Sequence, residues 1–404
     1  MVKKVKLKEI VDLQNGYAFK SDNYINFSNT MICRMSNIKP DIGFDINYNP
    51  KYIADDSSDL YKNYLLKDND IIIAMTDLAN DPKILGVPVL VKTNEKIILQ
   101  NQRVGKLIIK SKEVDSSYLM RVLSTKKARN FYKRFSNGGL QINIGKKEIL
   151  ENIIPLPPLA EQKQIAKTLD KVTEIITLRK ESITKLDALA KSIFIDMFGD
   201  PVENPMNWDI TTMKDLNVML EGGKNIAKSS NDKNIKNYIL KISSVTSGEF
   251  NSNEIKPLPN DYNVPKSHFI KQGDLLMSRA NTSLLVGSTA YIKESYDNLV
   301  LPDKIWRFVF PEDIKLNKIF YCKLAQTKSI RNEISNRATG TSGSMKNISK
   351  PKALSIPIIY PPINLQNKFA KIIEKIEEQK TLYTQELEKL QNNFDALLQK
   401  SFQE

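Results

Sequence analysis

Displacing the chain by 204 residues lays "LKDNDIIIA" (66–74) on "IKQGDLLMS" (270–278) and brings Asp70 onto Asp274. The same displacement sets "GLQINIGKKEIL" (139–150) on "GSMKNISKPKAL" (343–354), matching Gly139 with Gly343, Asn143 with Asn347, Ile144 with Ile348 and Lys146 with Lys350. It also pairs Pro157-Pro158 with Pro361-Pro362, Gln162 with Gln366 and Ala166 with Ala370. One offset held from residue 66 to residue 166 marks an internal duplication, so the fold must be built from two copies of one unit.

Past each proline pair the apolar spacing becomes helical. Positions Ile165, Leu169, Val172, Ile176, Arg179, Ile183, Leu186, Ala190, Ile193 and Met197 alternate steps of four and three. The same offset gives Phe369, Ile373, Ile376, Lys380, Tyr383, Leu387, Leu390, Phe394, Leu397 and Ser401. Such a repeat describes a narrow seam that packs on another helix. A thin stripe on a Glu-, Lys- and Gln-rich helix leaves it marginal alone, and the simplest partner for each helix is the other. Arg179 and Lys380 interrupt the seam at neighbouring positions. They either fix the register as charged seam residues or lie with buried stems and heads turned outward, the second being the favoured expectation. Proline has no N–H and forces the preceding residue into extended geometry, so each Pro-Pro pair is a joint between a globular unit and a rod.

Two globular units precede the rods, 1–152 and 200–354, followed by helical regions at 153–199 and 355–404. Short β-rich runs dominate both units, among them "DIIIAM", "GVPVLVK", "RVGKLIIK", "DLLMSRA", "STAYIKE" and "KIWRFVF". Helical stretches follow near 115–135 and 313–337. The expected fold class is α+β: two similar domains joined by two long helices in an antiparallel coiled coil. The copies diverge most at 40–65 and 224–264, so their surfaces need not recognise the same thing.

The 404 residues exceed what one core supports. No run reaches the roughly 18 apolar residues of a membrane span, and the start carries no apolar stretch of the signal-peptide kind, so no membrane partner and a cytoplasmic location are expected. Cys33 and Cys322 lie too far apart in sequence for a C-x-x-C site and are expected to be buried thiols; no metal site is expected. The one histidine, His268, is expected to be structural, which removes most histidine-based catalysis. A net charge of +14 favours a polyanionic partner. No phosphate-cradling G-x-x-x-x-G-K-[ST] is present, and "GTSGSMK" (340–346) lacks its lysine and hydroxyl at the required positions. "YPPI" (360–363) lacks the leading Asp or Asn that holds a target amine, and Glu254 with Lys256 has no upstream Pro-Asp for a nuclease site. "SNGG" (136–139) and "ATGTSG" (338–343) read as flexible turns beside a ligand surface. No catalytic residue is expected.

With the repeat assembled, the chain resembles the specificity subunit of type I restriction-modification systems. The resemblance rests on "NGYAFKS" (15–21), "NDIIIA", "GDLLMS", "LQNQRVGKL" (99–107), "LPDKIWRF" (301–308) and the paired "PLPPLAEQKQIAKTLD" and "YPPINLQNKFAKII" with their helices. It implies that 1–152 and 200–354 are target recognition domains, each reading one half of a bipartite, asymmetric double-stranded DNA sequence. Helices at 159–198 and 363–403 would be the conserved regions that dock modification (methyltransferase) subunits, two in number. Those partners would carry S-adenosylmethionine, with no cofactor in this chain, and ATP-dependent restriction subunits would join. The second half departs from the pattern: "NLQNK" lacks the acidic residue of "LAEQK", and Tyr360 stands for Leu156. A rigid helix of about 33 residues spans roughly 50 Å, a length suited to fixing the gap between half-sites.

Base reading needs Arg, Lys, Asn, Gln or Ser on loops that enter a groove, backed by phosphate contacts. In the first unit the candidates are Lys20, Ser21, Arg34, Ser36, Asn37, Thr76, Lys83, Gln102 and Arg103. In the second they are Lys224, Lys241, Ser243, Ser244, Arg279, Asn281, Thr282, Lys304 and Lys346, with "CRMSN" (33–37) aligned to "LKISS" (240–244). Arg34 and Arg279 lead, as isolated arginines at strand ends among small polar residues. The rival from another class is an adaptor that binds protein alone.

Overall fold

A computed structural model describes residues 2–40, 43–135, 139–226, 234–342 and 345–402, with the side chains of 341 and 342 excepted. Gly343 and parts of the 136–139 and 338–343 turns lie outside these residues. The chain forms two compact units: one runs to Arg179 and resumes from Glu386, and the other is Lys180–Gln385.

The duplication is legible in strand order. The first copy has a four-stranded antiparallel sheet ordered Val11–Asn15, Val104–Ile109, Ile71–Ala74, Pro88–Leu90. The second repeats it as Met219–Gly222, Ile305–Val309, Leu275–Ser278, Thr289–Tyr291. Each copy adds a parallel pair, Thr30–Cys33 with Ile97–Gln100 and Tyr238–Leu240 with Leu299–Val300. The third strand beside that pair differs. Leu65–Leu66 flanks Ile97–Gln100, whereas Ile255–Pro257 flanks Tyr238–Leu240, within the regions where the two sequences diverge. Two short helices follow in each copy, Ser116–Leu123 with Lys126–Lys133 and Lys318–Ala325 with Lys328–Arg337.

The aligned aspartates have one job. Asp70 accepts from the Lys67 N–H at 2.7 Å and pairs with Lys106 at 2.6 Å, while Asp274 accepts from the Lys271 N–H at 2.8 Å and pairs with Arg307 at 3.2 Å. Each closes the turn entering a central strand and is charge-matched by the strand beside it. Cys33 and Cys322 are buried free thiols; burial pushes the Cys33 thiol up, and that of Cys322 to about 11.

The prolines and glutamines form the joint. Lys3–Lys6 pairs with Ile153–Leu156, and Ile210–Thr211 with Ile358–Ile359, so an antiparallel ribbon delivers the chain to each Pro-Pro. Gln162 and Gln366 are both fully buried at the start of a long helix. Gln162 Oε1 accepts from the Asp115 N–H at 3.0 Å, and its Nε2 donates to the carbonyls of Glu113 and Pro157 at 2.8 Å each. Gln366 accepts from the Asn317 N–H at 2.9 Å and donates to the Pro361 carbonyl at 2.7 Å. Asp115 and Asn317 are the N-caps of Ser116–Leu123 and Lys318–Ala325. One buried amide therefore welds helix start to domain, in both copies.

The long helices are Leu159–Phe198 and Ile363–Phe402, 40 residues each, at the expected 159–198 and within one residue of the expected 363–403. Within the first unit Ile165 and Leu169 share a core with Phe394, Leu397 and Phe402. Within the second, Leu186, Ala190, Ile193, Phe194 and Phe198 share one with Phe369, Ile373 and Ile376. Early residues of one helix meet late residues of the other, as an antiparallel pair requires. Val172, Ile176, Ile183, Leu387 and Leu390 are half-buried. Arg179 pairs with Glu386 at 2.7 Å, and Lys380 with Asp187 at 2.6 Å, each across the helix pair. The outward-turned expectation is thereby corrected. Both cations lie less than a third exposed with a carboxylate of the facing helix within reach, so they serve as register pins.

Phe198 packs 4.8 Å from Phe320 and 5.3 Å from Phe369, ring centre to ring centre. Phe198→Ala is expected to cost about 3–5 kcal/mol in guanidinium unfolding of the full chain. Leu382→Ala, at a 54% exposed position, is expected to stay within about 0.5 kcal/mol. Hydrogen bonds from Lys6 and then Lys8 hold the Glu151 carboxyl down at about 2. A carboxyl lowered by folding stabilises above its unfolded value and loses that contribution as pH falls through the folded one. Glu151→Gln should lower the thermal midpoint at pH 7 and leave it unchanged near pH 2.

Candidate nucleic-acid interface

Four loops meet at one end of each sheet pair. In the first copy they are 15–20, 34–37, 75–86 and 101–103. The Tyr17 N–H donates to the Gln100 carbonyl at 2.9 Å, Asn101 to Cys33 at 3.1 Å, and Met75 to Arg103 at 3.0 Å. In the second copy they are 222–226, 241–244, 279–287 and 301–304. There the Gly223 N–H donates to Pro302 at 3.0 Å and Arg279 to Lys304 at 3.0 Å. Lys241 follows the strand that runs parallel to Leu299–Val300, which leads into 301–304. A small ribbon borders each set, Thr76–Leu78 with Gln141–Asn143 and Ala280–Asn281 with Met345–Asn347.

The expected residues divide by exposure. Lys20, Ser21, Lys83, Gln102 and Arg103 are exposed in the first copy, as are Lys224, Lys241 and Ser243 in the second. Arg34, Ser36, Arg279, Asn281, Thr282, Lys304 and Lys346 are half-buried. Three residues are corrected: Asn37, Thr76 and Ser244 are 1%, 2% and 0% exposed. Asn37 shapes its loop, accepting from the Arg34 N–H at 2.9 Å and donating to the carbonyls of Asp45 and Tyr48. Thr76 Oγ1 bonds Asn143 Oδ1 at 2.7 Å across the ribbon. Ser244 lies beneath the loop surface, out of reach of a groove.

Some exposed groups are already engaged. Glu254 accepts from Ser243 Oγ at 2.6 Å and lies 3.7 Å from Lys241 Nζ, contacts that hold its carboxyl below the usual range. Lys83 pairs with Asp81 at 3.0 Å, and Lys346 Nζ donates to the Ser335 carbonyl at 3.4 Å. Arg34 Nη1 and Arg279 Nε, by contrast, are buried and have no hydrogen-bond partner among the described residues. The neutral form of His268 is favoured by its burial and then by Lys224 and Arg307 nearby, and its carbonyl accepts from the Leu301 N–H at 2.8 Å. No cluster of metal-ligating side chains occurs among the described residues, and no helix there is long and apolar enough to cross a membrane.

Sequence reasoning passed over two glycines that make the convergence possible. A Cβ on Gly16 would lie 2.2 Å from the Asn101 carbonyl oxygen, and one on Gly223 would lie 1.6 Å from that of Leu301. The signal was present in "NGYAFKS" and "EGGKN", where only glycine admits so close a backbone crossing.

A family model described as type I restriction modification DNA specificity domain matches residues 1–188 and again 205–392. The specificity subunit of the type I restriction enzyme EcoKI of Escherichia coli (strain K12) is 30% identical over 59% of this chain and 53% of its own length. That of MjaVIII from Methanocaldococcus jannaschii is 30% identical over 47% of this chain and 43% of its own length. The chain thus spans about half the length of the curated relatives it matches. The crystal structure of a type I restriction-modification system S subunit from M. genitalium superposes with TM-score 0.59 at 16% identity, covering 100% of this chain and 96% of that one. A chain from a structure of type I restriction-modification complex assembly superposes at 0.52 and 15% identity, covering 99% of this chain and 97% of that one. At these identities the superpositions speak for the fold.

Alanine at Gly16 or Gly223 is expected to cost about 1–3 kcal/mol by forcing the crossing loops apart. Unchanged unfolding midpoints in either variant would contradict the close approach.

Proposed function

From the premise that the chain belongs to the type I restriction modification DNA specificity domain family, with two copies of that domain, we propose that it is the DNA-reading subunit of a restriction-modification complex. Each recognition domain, 1–152 and 200–354, takes one half of a bipartite, asymmetric double-stranded target. The long helices dock two modification subunits, which bring S-adenosylmethionine and the methyl-transfer chemistry, and restriction subunits join them. The chain itself contributes recognition and no catalytic step, and the complex works in the cytoplasm.

The observation that carries this reading is the pair Arg34 and Arg279, each at a loop convergence with a guanidinium nitrogen that finds no partner among the described residues. A buried donor left unmatched costs about 1–3 kcal/mol, so little holds either half-buried guanidinium inward, and turning toward a base edge or phosphate oxygen supplies the missing acceptor. The excess of cations fits the same partner. Divergent loop regions around a common skeleton fit two different half-sequences.

Sequencing methylated positions in the host genome with and without this gene tests the reading. A two-part motif should vanish with the gene; a genome methylated identically in both would refute it. With the motif in hand, Arg34→Ala and Arg279→Ala should each weaken recognition of one half by about 1–3 kcal/mol. A loss uniform over unrelated sequences would instead mark a phosphate contact. Inserting four residues near Arg179 should change the preferred spacer and leave both half-sequences alone.

A further inference from the structure

Each copy pins one interface loop with unusual firmness. In the second copy Arg331, on the helix Lys328–Arg337, donates from Nη2 to the Leu284 carbonyl at 2.8 Å, and Ser335 Oγ to the Ser283 carbonyl at 2.8 Å. Gly287, at φ +76°, ends the loop where a Cβ would lie 2.3 Å from Ile334 Cγ2. The first copy repeats the device. Arg129 Nη2 donates to the Lys83 carbonyl, and the Asp77 carboxylate gathers the N–H groups of Leu78, Ile84 and Leu85. Gly86, at φ +71°, ends that loop against the Tyr132 ring, 2.1 Å from where its Cβ would sit.

The second loop presents an aliphatic side chain to solvent, and so does the ribbon that borders the first. Leu284 is 86% exposed at the pinned position itself. In the first copy Leu78 is 57% exposed on the ribbon and Leu140 86% exposed at its end, where the Ala79 N–H donates to the Leu140 carbonyl at 3.1 Å. Burying such a side chain is worth about 1.5–3 kcal/mol, so a loop free to move would fold it inward. The surroundings are cationic. The helix beside the first loop reads "KKARNFYKR" (126–134) without an acid, and Arg331, on the Leu284 carbonyl, and Lys346, on that of Ser335, lie beside the second. The acids close by are engaged, Asp81 by Lys83 at 3.0 Å and Glu333 by Arg337 at 3.4 Å.

An aliphatic tip with cations on the neighbouring helix suits one partner chemistry, an apolar stack running between two rails of phosphate. We propose that Leu284 and Leu140 are wedges that enter between neighbouring base pairs of duplex DNA, one in each half-site, unstacking a step and bending the helix there. Rigid anchoring is what this task requires, because the leucine must stand out before the DNA arrives and must not yield when the stack resists. The wedge rests on the DNA-reading function proposed above.

The test uses the full chain with its modification subunits and a duplex carrying the sequence found methylated in the host, with 2-aminopurine placed at each adenine in turn. Bound wild type should show raised fluorescence at a step in each half, at positions other than the methylated base. Leu284→Ala should abolish the signal in one half and Leu140→Ala in the other, each weakening binding about tenfold, while Leu284→Met should retain both signal and affinity. Tight, salt-sensitive binding by wild type without any such step would overturn the wedge and leave the reading function standing. Alanine variants with unaltered signal and affinity would do the same. Absence of wild-type binding would overturn both.

Discussion

Two helices, each too thin in its apolar stripe to stand alone, are stabilised by facing one another and by the domain cores that take their ends. A stripe of one residue in every three or four buries too little to hold 40 residues helical in water, whereas a matched seam shields both helices at once. The aromatic cluster of Phe194, Phe198, Phe320 and Phe369 ties that seam to the second domain, and Tyr118 with Phe402 does so in the first. The charged pairs Arg179–Glu386 and Lys380–Asp187 oppose a slip, since a shift by one turn would part each cation from its carboxylate on the facing helix, while Glu249 of the domain also holds Lys380.

From that frame the domains take their bearing. Each long helix begins at a buried glutamine that bonds the N-cap residue of a neighbouring helix, so helix direction and domain orientation are set by the same amide. The recognition loops lie at one end of the sheets, held by backbone bonds that recur in both copies, while their side chains differ. A common skeleton with private loops is what a protein needs if it is to read two unlike sequences. It also explains why three expected contacts fell inside: Asn37, Thr76 and Ser244 belong to the skeleton, where Asn37 shapes its turn and Thr76 bonds across the ribbon.

Architecture was legible in the sequence because duplication supplies its own control. A constant offset through Asp70, Pro157 and Gln162 named the joints, and the structure gives each a duplicated contact. Seam register was legible for the same reason, although the roles of Arg179 and Lys380 were not, because their carboxylate partners lie on the opposite helix and far along the chain. The interface was harder to read. Whether a serine or threonine on a loop faces outward depends on the crossing of Gly16 over Asn101, or Gly223 over Leu301, whose glycines the sequence shows but whose crossing partners lie some 80 residues away. Arg129 and Arg331 were missed likewise, since their value lies in pinning a carbonyl some 46 or 47 residues away.

The central claim is that two independent reading heads share one scaffold, and exchanging a head tests it most directly. Residues 1–152 would be replaced by the corresponding domain of another family member, and the methylated sequence of the resulting complex determined in cells. The account predicts a motif in which one half is new while the other half is retained. A motif altered in both halves, or retention of the original sequence, would contradict it.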